Sequence, residues 1–501
     1  MKKLTYDIVI VGSGAGGGTV AQQLSPLCQQ GVRIAVLEKG PHLRDDEFTG
    51  RELEMAAALY EDGGGFLTFD GTMTLAFGST YGGSTAVYTG TSTLPPERII
   101  RHWNVPGLAY DDLTWRARKF MAENNVHLIE DRLINQNNRL FVEGCRKLGY
   151  DVQQFPVNIK GCRGSSLCNL GCPNQAKQGT DRVQLPRAEQ NGVEVITRCD
   201  VLSVGEKNVT ARVSAKPLGG KGEPSAWEVD DYQIDAKVIV LCAGAVNTPA
   251  LLLRSGMGRR LPRLGHGFTA HPAFIMVAEH ATSMTNFVGH PKSFYLDQFA
   301  ESDRFLLETC MYFPFITAKS LAGFGQPHSA FMRAFPRLQM ILVLACDEAN
   351  SHNRVTIDAN GRPVVHYRFM PEAIRGLIRG AITSAKIFFA AGAVRVHMPV
   401  ARDTTIESGD GVHLEEIAAE AEFKPGKVPV SAAHLQGGCA MGSGSDDSVT
   451  DSYGRVHGMP WLFVADGSLF PNSLEINPYI TIMALADRAA QRIREEAPAL
   501  L

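Results

Sequence analysis

The sequence predicts a mixed α/β fold, of the α+β kind in its later part, with one mainly parallel sheet and one antiparallel sheet. Three observations predict it. A buried strand, a glycine-rich turn and a helix follow one another at the start of the chain, and a similar strand–turn–helix pattern returns near residue 240. Apolar strands and turns then alternate between about 276 and 430, without another such turn. The first two patterns favour a parallel sheet, whereas the third is typical of antiparallel strands.

Length, charge and composition exclude several classes of protein. The chain has 501 residues, so we expect two domains or one elaborated domain. The net charge of -3 leaves no basic surplus for nucleic acid or anionic lipid. The first apolar run, Ile8 to Val11, is too short for a secretion signal, and no run is long enough for a transmembrane helix. The ten cysteines are mostly isolated, which favours reduced thiols and a cytoplasmic protein.

The first 40 residues predict a dinucleotide site of the Rossmann type. After a strand over Asp7 to Val11, the spacing is Gly12-x-Gly14-x-x-Gly17. The first glycine permits a tight turn, the second lets the backbone approach a pyrophosphate, and the third lets the helix pack on the strand. The next strand, "VRIAVLE", ends at Glu38, whose carboxylate can accept a hydrogen bond from a ribose hydroxyl. No arginine stands beside it, which disfavours NADP, while FAD and NAD both remain open.

Two later segments are predicted to join the same sheet. Residues 193–204 read as one strand that brings Val201 near the first sheet. Val238 to Cys242 read as a buried strand, followed by a helix from about Thr248 that has Pro249 in its first turn. On periodicity alone these segments are further strand–helix units.

The sequence around these segments resembles a known family. "GAVNTPALLLRSGMG" and the earlier "FGSTYGGSTAVYTGTS" resemble the two signatures of the glucose–methanol–choline (GMC) oxidoreductases, and the last 70 residues resemble that family too. The resemblance implies FAD as the cofactor, with Gly82, Gly83 and Ser84 at a turn beside the flavin. No histidine occurs near this turn, so we expect non-covalent FAD. Tyr88 stands where the family usually has an asparagine, and that asparagine's role is not transferred.

The resemblance also implies the domain organisation. We expect a Rossmann-like FAD-binding domain assembled from discontinuous segments, 1–95, 191–275 and 431–501. An antiparallel-sheet substrate domain, 96–190 and 276–430, would roof the flavin. Its segment from 287 to 335 is rich in phenylalanine and methionine, which indicates either core packing or an apolar pocket for a hydrophobic alcohol.

The C-terminal stretch carries the predicted catalytic residues. His434 in "HLQGGCAMG" and Asn477 in "EINPYITI" match the His–Asn pair of the family's cholesterol-oxidase and long-chain-alcohol-oxidase branches. An imidazole near its ordinary pKa can accept or orient a hydroxyl proton, and an amide can hold the alcohol oxygen. Whether His434 acts as a base or as a hydrogen-bond partner stays open. We also expect Asn477 to cap a helix with Pro478 at its first position, and Asp466 to lie at the cofactor.

Two other histidines are assigned on weaker grounds. His271 in "GHGFTAHPAF" resembles a loop that follows the family's second signature. It is expected to approach the cofactor or the domain junction rather than to have a direct catalytic role. His457 in "YGRVHGM" is expected in a surface turn before a strand.

A loop with three cysteines has three possible interpretations: a metal cluster, packed thiols or a disulfide. Cys162, Cys168 and Cys172 occur within eleven residues, and the last precedes a proline. This C-x5-C-x3-C-P spacing resembles the family's sugar-dehydrogenase branch, in which three thiolates hold a three-iron (3Fe–4S) cluster. Packed thiols and a disulfide are the alternatives, and a reducing compartment disfavours the disulfide.

The leading functional prediction is FAD-dependent oxidation of an apolar or amphipathic small-molecule alcohol to an aldehyde or ketone. Hydride would pass from the carbinol carbon to flavin N5, and oxygen, a quinone or another acceptor would reoxidise the flavin. The alternatives are a sugar or polyol dehydrogenase that uses an iron–sulfur cluster, a flavin-dependent lyase of the same fold, and a flavin-binding subunit without activity.

Overall fold

The computed structural model describes residues 1–284, 286–400, 404–408, 414, 423 and 426–501, so part of the predicted segment 276–430 lies outside it. Its strands are β1 Lys2–Val11, β2 Ile34–Leu37, β3 Phe66–Leu67, β4 Met73–Leu75, β5 Val126–Leu128, β6 Gln153–Gln154, β7 Pro156–Asn158, β8 Glu194–Ile196, β9 Cys199–Gly205, β10 Asn208–Val213, β11 Asp231–Leu241, β12 Ala273–Glu279, β13 Phe294–Leu296, β14 Phe305–Thr309, β15 Leu338–Ala345, β16 Arg354–Ile357, β17 Pro363–His366, β18 Arg395–Met398, β19 Thr404–Glu407, β20 Val430–Ala432 and β21 Leu462–Val464. Its α-helices are α1 Ala15–Leu24, α2 Glu52–Leu59, α3 Glu97–Trp103, α4 Tyr110–Glu123, α5 Gln136–Lys147, α6 Gln184–Gln190, α7 Gly244–Arg254, α8 Pro314–Ser320, α9 Gly325–Arg333, α10 Pro371–Ala390 and α11 Tyr479–Leu500.

The first sheet has the strand order β8-β2-β1-β11-β10-β9, and β21 also pairs with β11. Strands β8, β2, β1, β11 and β21 are parallel, whereas β10 is antiparallel to both of its neighbours. The carboxyl ends of the parallel strands therefore meet at one edge, which is where ligands bind in open α/β sheets. The α/β fold class with a discontinuous nucleotide-type sheet is confirmed.

The predicted strand over 193–204 is wrong in one respect. It is two strands, β8 and β9, because Arg198 between them has a positive φ of +56° that interrupts extended backbone. The first half pairs with β2 and the second with β10, so each extends a different edge of the sheet.

Helix α7 also differs from the prediction. It begins at Gly244, about four residues early, so Pro249 lies inside the helix rather than in its first turn. The carboxylate of Asp466 accepts hydrogen bonds from the Gly244 N–H and the Thr248 hydroxyl and thereby holds the helix start. A partner 222 residues away fixes this start, and no local pattern reveals it.

The second sheet has the order β3-β4-β20-β12-β15-β14-β13-β6, with β18 and β19 attached through β12. Strands β12 and β15 pair antiparallel over seven residues at its centre. The 20-residue helix α10 covers one face, where Gly380 allows close approach to Val343. Strands β16 and β17 form an antiparallel hairpin that pairs as a separate two-stranded sheet.

The two sheets do not follow the predicted segments at every point. Strands β3 and β4 lie within 1–95, yet they pair in the second sheet together with β20. In the described ranges, no helix combines the length and the apolar character that crossing a bilayer would need.

Candidate active site

A cavity of about 1190 Å³ lies between the carboxyl edge of the first sheet and one face of the second. This volume exceeds the roughly 300–1,000 Å³ of a typical small-molecule pocket. Its lining comes from the turns after β1, β2 and β11, from β9, from the start of α11, and from β12 and β15. The space is therefore suited to a dinucleotide together with a second, smaller molecule.

The glycines after β1 form an open cradle at one end of this cavity. Gly12 has a φ of +98°, and a Cβ there would lie 2.4 Å from the Cys242 carbonyl oxygen. A Cβ on Gly17 would lie 1.9 Å from the Gly12 oxygen, so this position requires glycine for helix–strand packing. At Gly14 a Cβ would meet nothing nearer than the Cα of Gly83 at 3.9 Å. The backbone at Gly14 thus faces open space at the N-terminus of α1, as a phosphate site requires.

Glu38 lies at the end of β2 and is 5% exposed. Its carboxylate accepts hydrogen bonds from the Ser13 N–H and hydroxyl, at 3.0 and 2.6 Å, and from the Gly40 N–H at 2.7 Å. Burial raises the pKa of the Glu38 carboxyl, and these hydrogen bonds oppose that rise. An ionised carboxylate accepts about four hydrogen bonds, so one acceptor position remains for a ribose hydroxyl.

The turn predicted beside the flavin lies opposite this cradle. Gly82 and Gly83 both have positive φ, and the Gly82 N–H donates to the Ser13 hydroxyl at 2.9 Å. Gly83 and the exposed Ser84 line the cavity, whereas Gly82 and Gly17 lie behind its wall. Tyr88 also lines the cavity; its hydroxyl accepts a hydrogen bond from Asn158, and its ring stands edge-on to Tyr479 at 4.9 Å.

Val201 of β9 and Asp466, which follows β21, both line the cavity. The Val201 carbonyl accepts a hydrogen bond from Arg254 of α7. One Asp466 oxygen accepts the α7 bonds described above, and the other accepts the Ser468 N–H at 2.8 Å. Asp466 therefore joins the end of β21 to the start of α7, and burial raises the pKa of its carboxyl.

Asn477 does not cap a helix, which corrects the sequence prediction. Helix α11 begins at Tyr479 with Pro478 as its N-cap, and no side chain caps it. The Asn477 amide instead turns into the cavity, where its Nδ2 lies 3.3 Å from Nε2 of His434. The buried Asn477 Oδ1 has no hydrogen-bond partner among the described residues. Such an atom fits a site built for a bound molecule.

His434 follows β20 and faces the cavity from the second sheet. Burial, helped by nearby His271 and Lys292, lowers the pKa of His434 well below its usual 6.5. The sequence-based expectation of an ordinary pKa is therefore wrong. The ring is neutral at pH 7, and its basicity is reduced.

His271 lies directly behind His434. Their Nδ1 atoms are 2.9 Å apart and the rings are perpendicular. His271 is 2% exposed, and burial lowers its pKa to about 3. His271 itself also lines the cavity, next to His434. Its contact with His434 spans 163 residues, so no local spacing could reveal it. His457 is partly exposed, lies outside the cavity lining and bonds Ser448.

The cysteine loop has a different organisation from the predicted cluster. Cys162, Cys168 and Cys172 are free thiols, and burial raises the pKa of Cys168 to about 12. The buried Lys177 ammonium donates to the carbonyls of Ala86, Tyr88 and Cys168, at 2.8 to 2.9 Å, and so pins the loop to the turn region. Within the described ranges, no three His, Cys, Asp or Glu side chains could hold a metal ion. The iron–sulfur cluster is not supported.

The parallel sheet and the glycine cradle at its carboxyl edge define a dinucleotide-binding protein. Models of the N- and C-terminal regions of the GMC oxidoreductases match residues 56–273 and 349–486, which together are more than half of the chain. The chain belongs to the GMC oxidoreductase family, whose members bind FAD.

Curated relatives cover almost the whole chain. It is 29% identical over 487 residues to an uncharacterized GMC-type oxidoreductase of Mycobacterium tuberculosis, covering 96% of this chain and 74% of that one. It is 27% identical to a long-chain-alcohol oxidase of Arabidopsis thaliana, covering 97% of this chain and 66% of that one. A crystal structure of pyridoxine 4-oxidase from Mesorbium loti matches with a TM-score of 0.72 at 18% identity, covering 98% and 99%. This last similarity shows the fold.

Proposed function

We propose that the protein oxidises an alcohol to an aldehyde or ketone with FAD as the electron acceptor. The observation that carries this proposal is the pair formed by His434 and Asn477 on the cavity wall, 3.3 Å apart. Two polar groups at this separation can hold one hydroxyl oxygen between them. The similarity to long-chain-alcohol oxidases supports the same reaction.

In this proposal His434 and Asn477 bind and orient the hydroxyl group. The lowered pKa of His434 favours orientation over proton acceptance, because a weakly basic imidazole is a poor acceptor. FAD, when bound, supplies the acceptor for the hydride that leaves the carbinol carbon. The hydroxyl proton leaves to water, since a carbonyl oxygen that still carries a proton is strongly acidic.

The FAD itself is held non-covalently in this proposal. The turn after β1 and the start of α1 would hold the pyrophosphate, and Glu38 would hold a ribose hydroxyl. The other residues of the proposed set would hold the flavin side of the cofactor. The proposed set is Gly12, Gly14, Gly17, Glu38, Gly82, Gly83, Ser84, Val201, Asp466, Asn477 and Pro478. The open backbone at Gly14 supports the assignment of the pyrophosphate, and the Asn477 amide, which has an unpartnered atom in the cavity, supports the assignment of the flavin.

We propose an apolar or amphipathic alcohol as the substrate. Beyond His434 the cavity wall includes Ile275 of β12, Leu342 of β15 and Phe315 and Ile316 of α8. Lys292, paired with the buried Glu308, adds a charged group to this wall. Other charged residues also line the cavity, among them Glu52 and Lys319 near α8. An apolar surface next to charged groups suits a hydrocarbon chain that bears a polar group better than it suits a free sugar.

The alternative functions have less support. A sugar dehydrogenase that passes electrons through a cluster would need the iron at Cys162, Cys168 and Cys172 that the structure does not support. A flavin-dependent lyase would catalyse a reaction without net oxidation of an alcohol. Anaerobic bleaching of the flavin by an alcohol separates the oxidoreductase from the lyase.

The test is anaerobic reduction of the purified holoprotein by alkanols, aryl alcohols, sterols and sugars. We expect an alcohol with an apolar chain to bleach the flavin. His434→Gln should retain FAD and slow bleaching by about 10²-fold or more, because the hydroxyl loses its partner. His457→Gln is the matched control, since His457 lies outside the cavity lining, and should behave like the wild type.

Two results would contradict the proposal: no alcohol bleaches the flavin, or His434→Gln is as fast as the wild type. Admitting oxygen afterwards identifies the electron acceptor. Reoxidation with formation of peroxide indicates an oxidase, whereas persistent reduction indicates a dehydrogenase that uses a quinone or another acceptor.

A further inference from the structure

Two of the hydrogen bonds at Nε2 of His271 have a direction that cannot be reversed, and a third, with the Ser473 hydroxyl at 3.0 Å, can adapt to them because a hydroxyl both donates and accepts. The His271 Nε2 accepts a hydrogen bond from the backbone N–H of Glu475 at 3.1 Å, and a backbone N–H is always a donor. The same Nε2 lies 3.2 Å from Nε2 of Gln436. The other end of that amide, Oε1, accepts the backbone N–H of Leu474 at 2.8 Å, so the Gln436 nitrogen must donate.

These donors fix the position of the proton on His271. A ring nitrogen that accepts hydrogen bonds carries no proton, and a neutral imidazole carries only one. The proton of neutral His271 therefore resides on Nδ1. Burial of the ring, with its low pKa, supports the neutral form. Because Nδ1 lies 2.9 Å from Nδ1 of His434, the N–H of His271 donates to that atom.

The surroundings of Glu475 hold its N–H in place for this contact. Glu475 has a φ of +64°, which is a costly conformation for a residue with a side chain. Its carboxylate is held between the guanidinium groups of Arg98 and Arg304. Two ion pairs thus maintain a strained backbone whose N–H points at His271.

We propose that His271 is a positioning residue that keeps the proton of His434 on Nε2, so that His434 meets the alcohol oxygen as a hydrogen-bond donor. With Nδ1 of His434 occupied as an acceptor, the single proton of the neutral ring resides on Nε2. Rotation of the Asn477 amide by 180° brings its unpartnered Oδ1 within reach of the His434 Nε2–H, which donates to Oδ1 until an alcohol oxygen takes that hydrogen bond, and turns Nδ2 to the cavity. The consequence for the alcohol rests on the proposed function, but the proton position does not.

The proton position is tested directly by NMR on the holoprotein labelled with ¹⁵N-histidine. Long-range ¹H–¹⁵N correlations distinguish a protonated, pyrrole-like ring nitrogen from an unprotonated, pyridine-like one. Spectra of His434→Gln and His271→Asn assign the two rings by the loss of their signals. We expect His434 to have a protonated Nε2 and an unprotonated Nδ1, and His271 the reverse. A His434 ring protonated on Nδ1 would overturn the proposal.

A pair of variants tests the kinetic consequence. His271→Asn can present an amide N–H near the position of the original Nδ1, whereas His271→Leu has no donor. Relative to the wild type, we expect flavin reduction to slow by about 10²-fold in His271→Leu and by less than about tenfold in His271→Asn. Affinity for the alcohol should change little in either variant.

The outcomes separate this inference from the proposed function. Equal rates in His271→Leu and the wild type, with FAD retained, would refute the role of His271 while alcohol oxidation stands. A wild type that no alcohol reduces would refute the proposed function, and the NMR spectrum would still decide the proton position. If His271→Leu does not fold, the spectrum and the His271→Asn rate decide the question.

Discussion

The protonation state of His434 depends on the residues that surround its ring. Burial, the adjacent His271 and the cation of Lys292 all lower the pKa of the ring below 6.5. An imidazole with a lowered pKa stays neutral down to a pH below its usual pKa and takes up a second proton only at that lower pH. The ring is therefore neutral from pH 8 to below pH 6.5.

This neutrality predicts the pH dependence of flavin reduction. The rate of anaerobic reduction by a saturating alcohol should show no acidic limb centred at the ordinary imidazole pKa of about 6.5, because the pKa of His434 is lowered well below it. Stopped-flow absorbance at the flavin band from pH 8 to about 5.5 measures it, with His457→Gln as a control. An acidic limb with a midpoint near 6.5 in both proteins would show that His434 titrates normally, against the account.

Resemblance to a family identified His434 and Asn477, but it did not reveal their surroundings. The pKa of His434, the contact with His271 and the ion pairs of Glu475 all join residues far apart in the chain. The helix-cap prediction for Asn477 also failed, because helix α11 begins two residues later and leaves the amide for the cavity. Local patterns predict residue types at a site, whereas tertiary contacts determine how those residues behave.

At the scale of elements, the turn between β1 and α1 separates two uses of glycine. Gly17 has no room for a Cβ because the Gly12 carbonyl oxygen is 1.9 Å away. Gly14 has room, and its φ of −64° suits any residue. One position serves the packing of the protein, and the other leaves space for a ligand.

Alanine at these two positions should therefore give different defects. Gly17→Ala should destabilise the protein itself by about 1–3 kcal/mol through overpacking, lowering the melting temperature even without FAD. Gly14→Ala should leave the melting temperature of the apoprotein near that of the wild type and weaken FAD binding. Calorimetry of apoprotein and titration with FAD measure both effects. Tight FAD binding by Gly14→Ala would contradict the proposed pyrophosphate site.

The elements themselves were predictable to different degrees. The strand–turn–helix around Gly12 carries a strong local signal and forms as predicted. The break at Arg198 and the early start of α7 depend on distant partners, since Asp466 holds the first turn of α7. Sequence patterns locate such elements, but long-range hydrogen bonds set their ends.

At the scale of the whole molecule, the cavity exists because two sheets meet edge to face. The first contributes its carboxyl edge, and the second contributes β12, β15 and the loop that bears His434. The cysteine loop lies beside this junction, tied to the turn region by Lys177. In this arrangement Lys177 connects the loop to the turn that borders the cavity.

A packed loop predicts a mild effect of changing its thiols. Cys168→Ser should retain FAD content and the rate of flavin reduction within about twofold, since serine is nearly isosteric and the Lys177 bond involves the backbone carbonyl. Metal analysis of the wild type should find no iron in proportion to flavin. Three irons per flavin in the wild type, lost together with activity in Cys168→Ser, would contradict this prediction and support an iron–sulfur cluster.

If the proposed function is correct, an alcohol held by His434 and Asn477 would lose hydride from its carbinol carbon to bound FAD. The most direct measurement compares anaerobic flavin reduction by an apolar primary alcohol and by the same alcohol with two deuterium atoms on the carbinol carbon. We expect clearly slower bleaching with the deuterated alcohol, because the bond to the carbinol hydrogen is broken, and still slower bleaching in His434→Gln. Absence of bleaching, or equal rates with both alcohols under conditions where bond cleavage limits the rate, would contradict the proposed function.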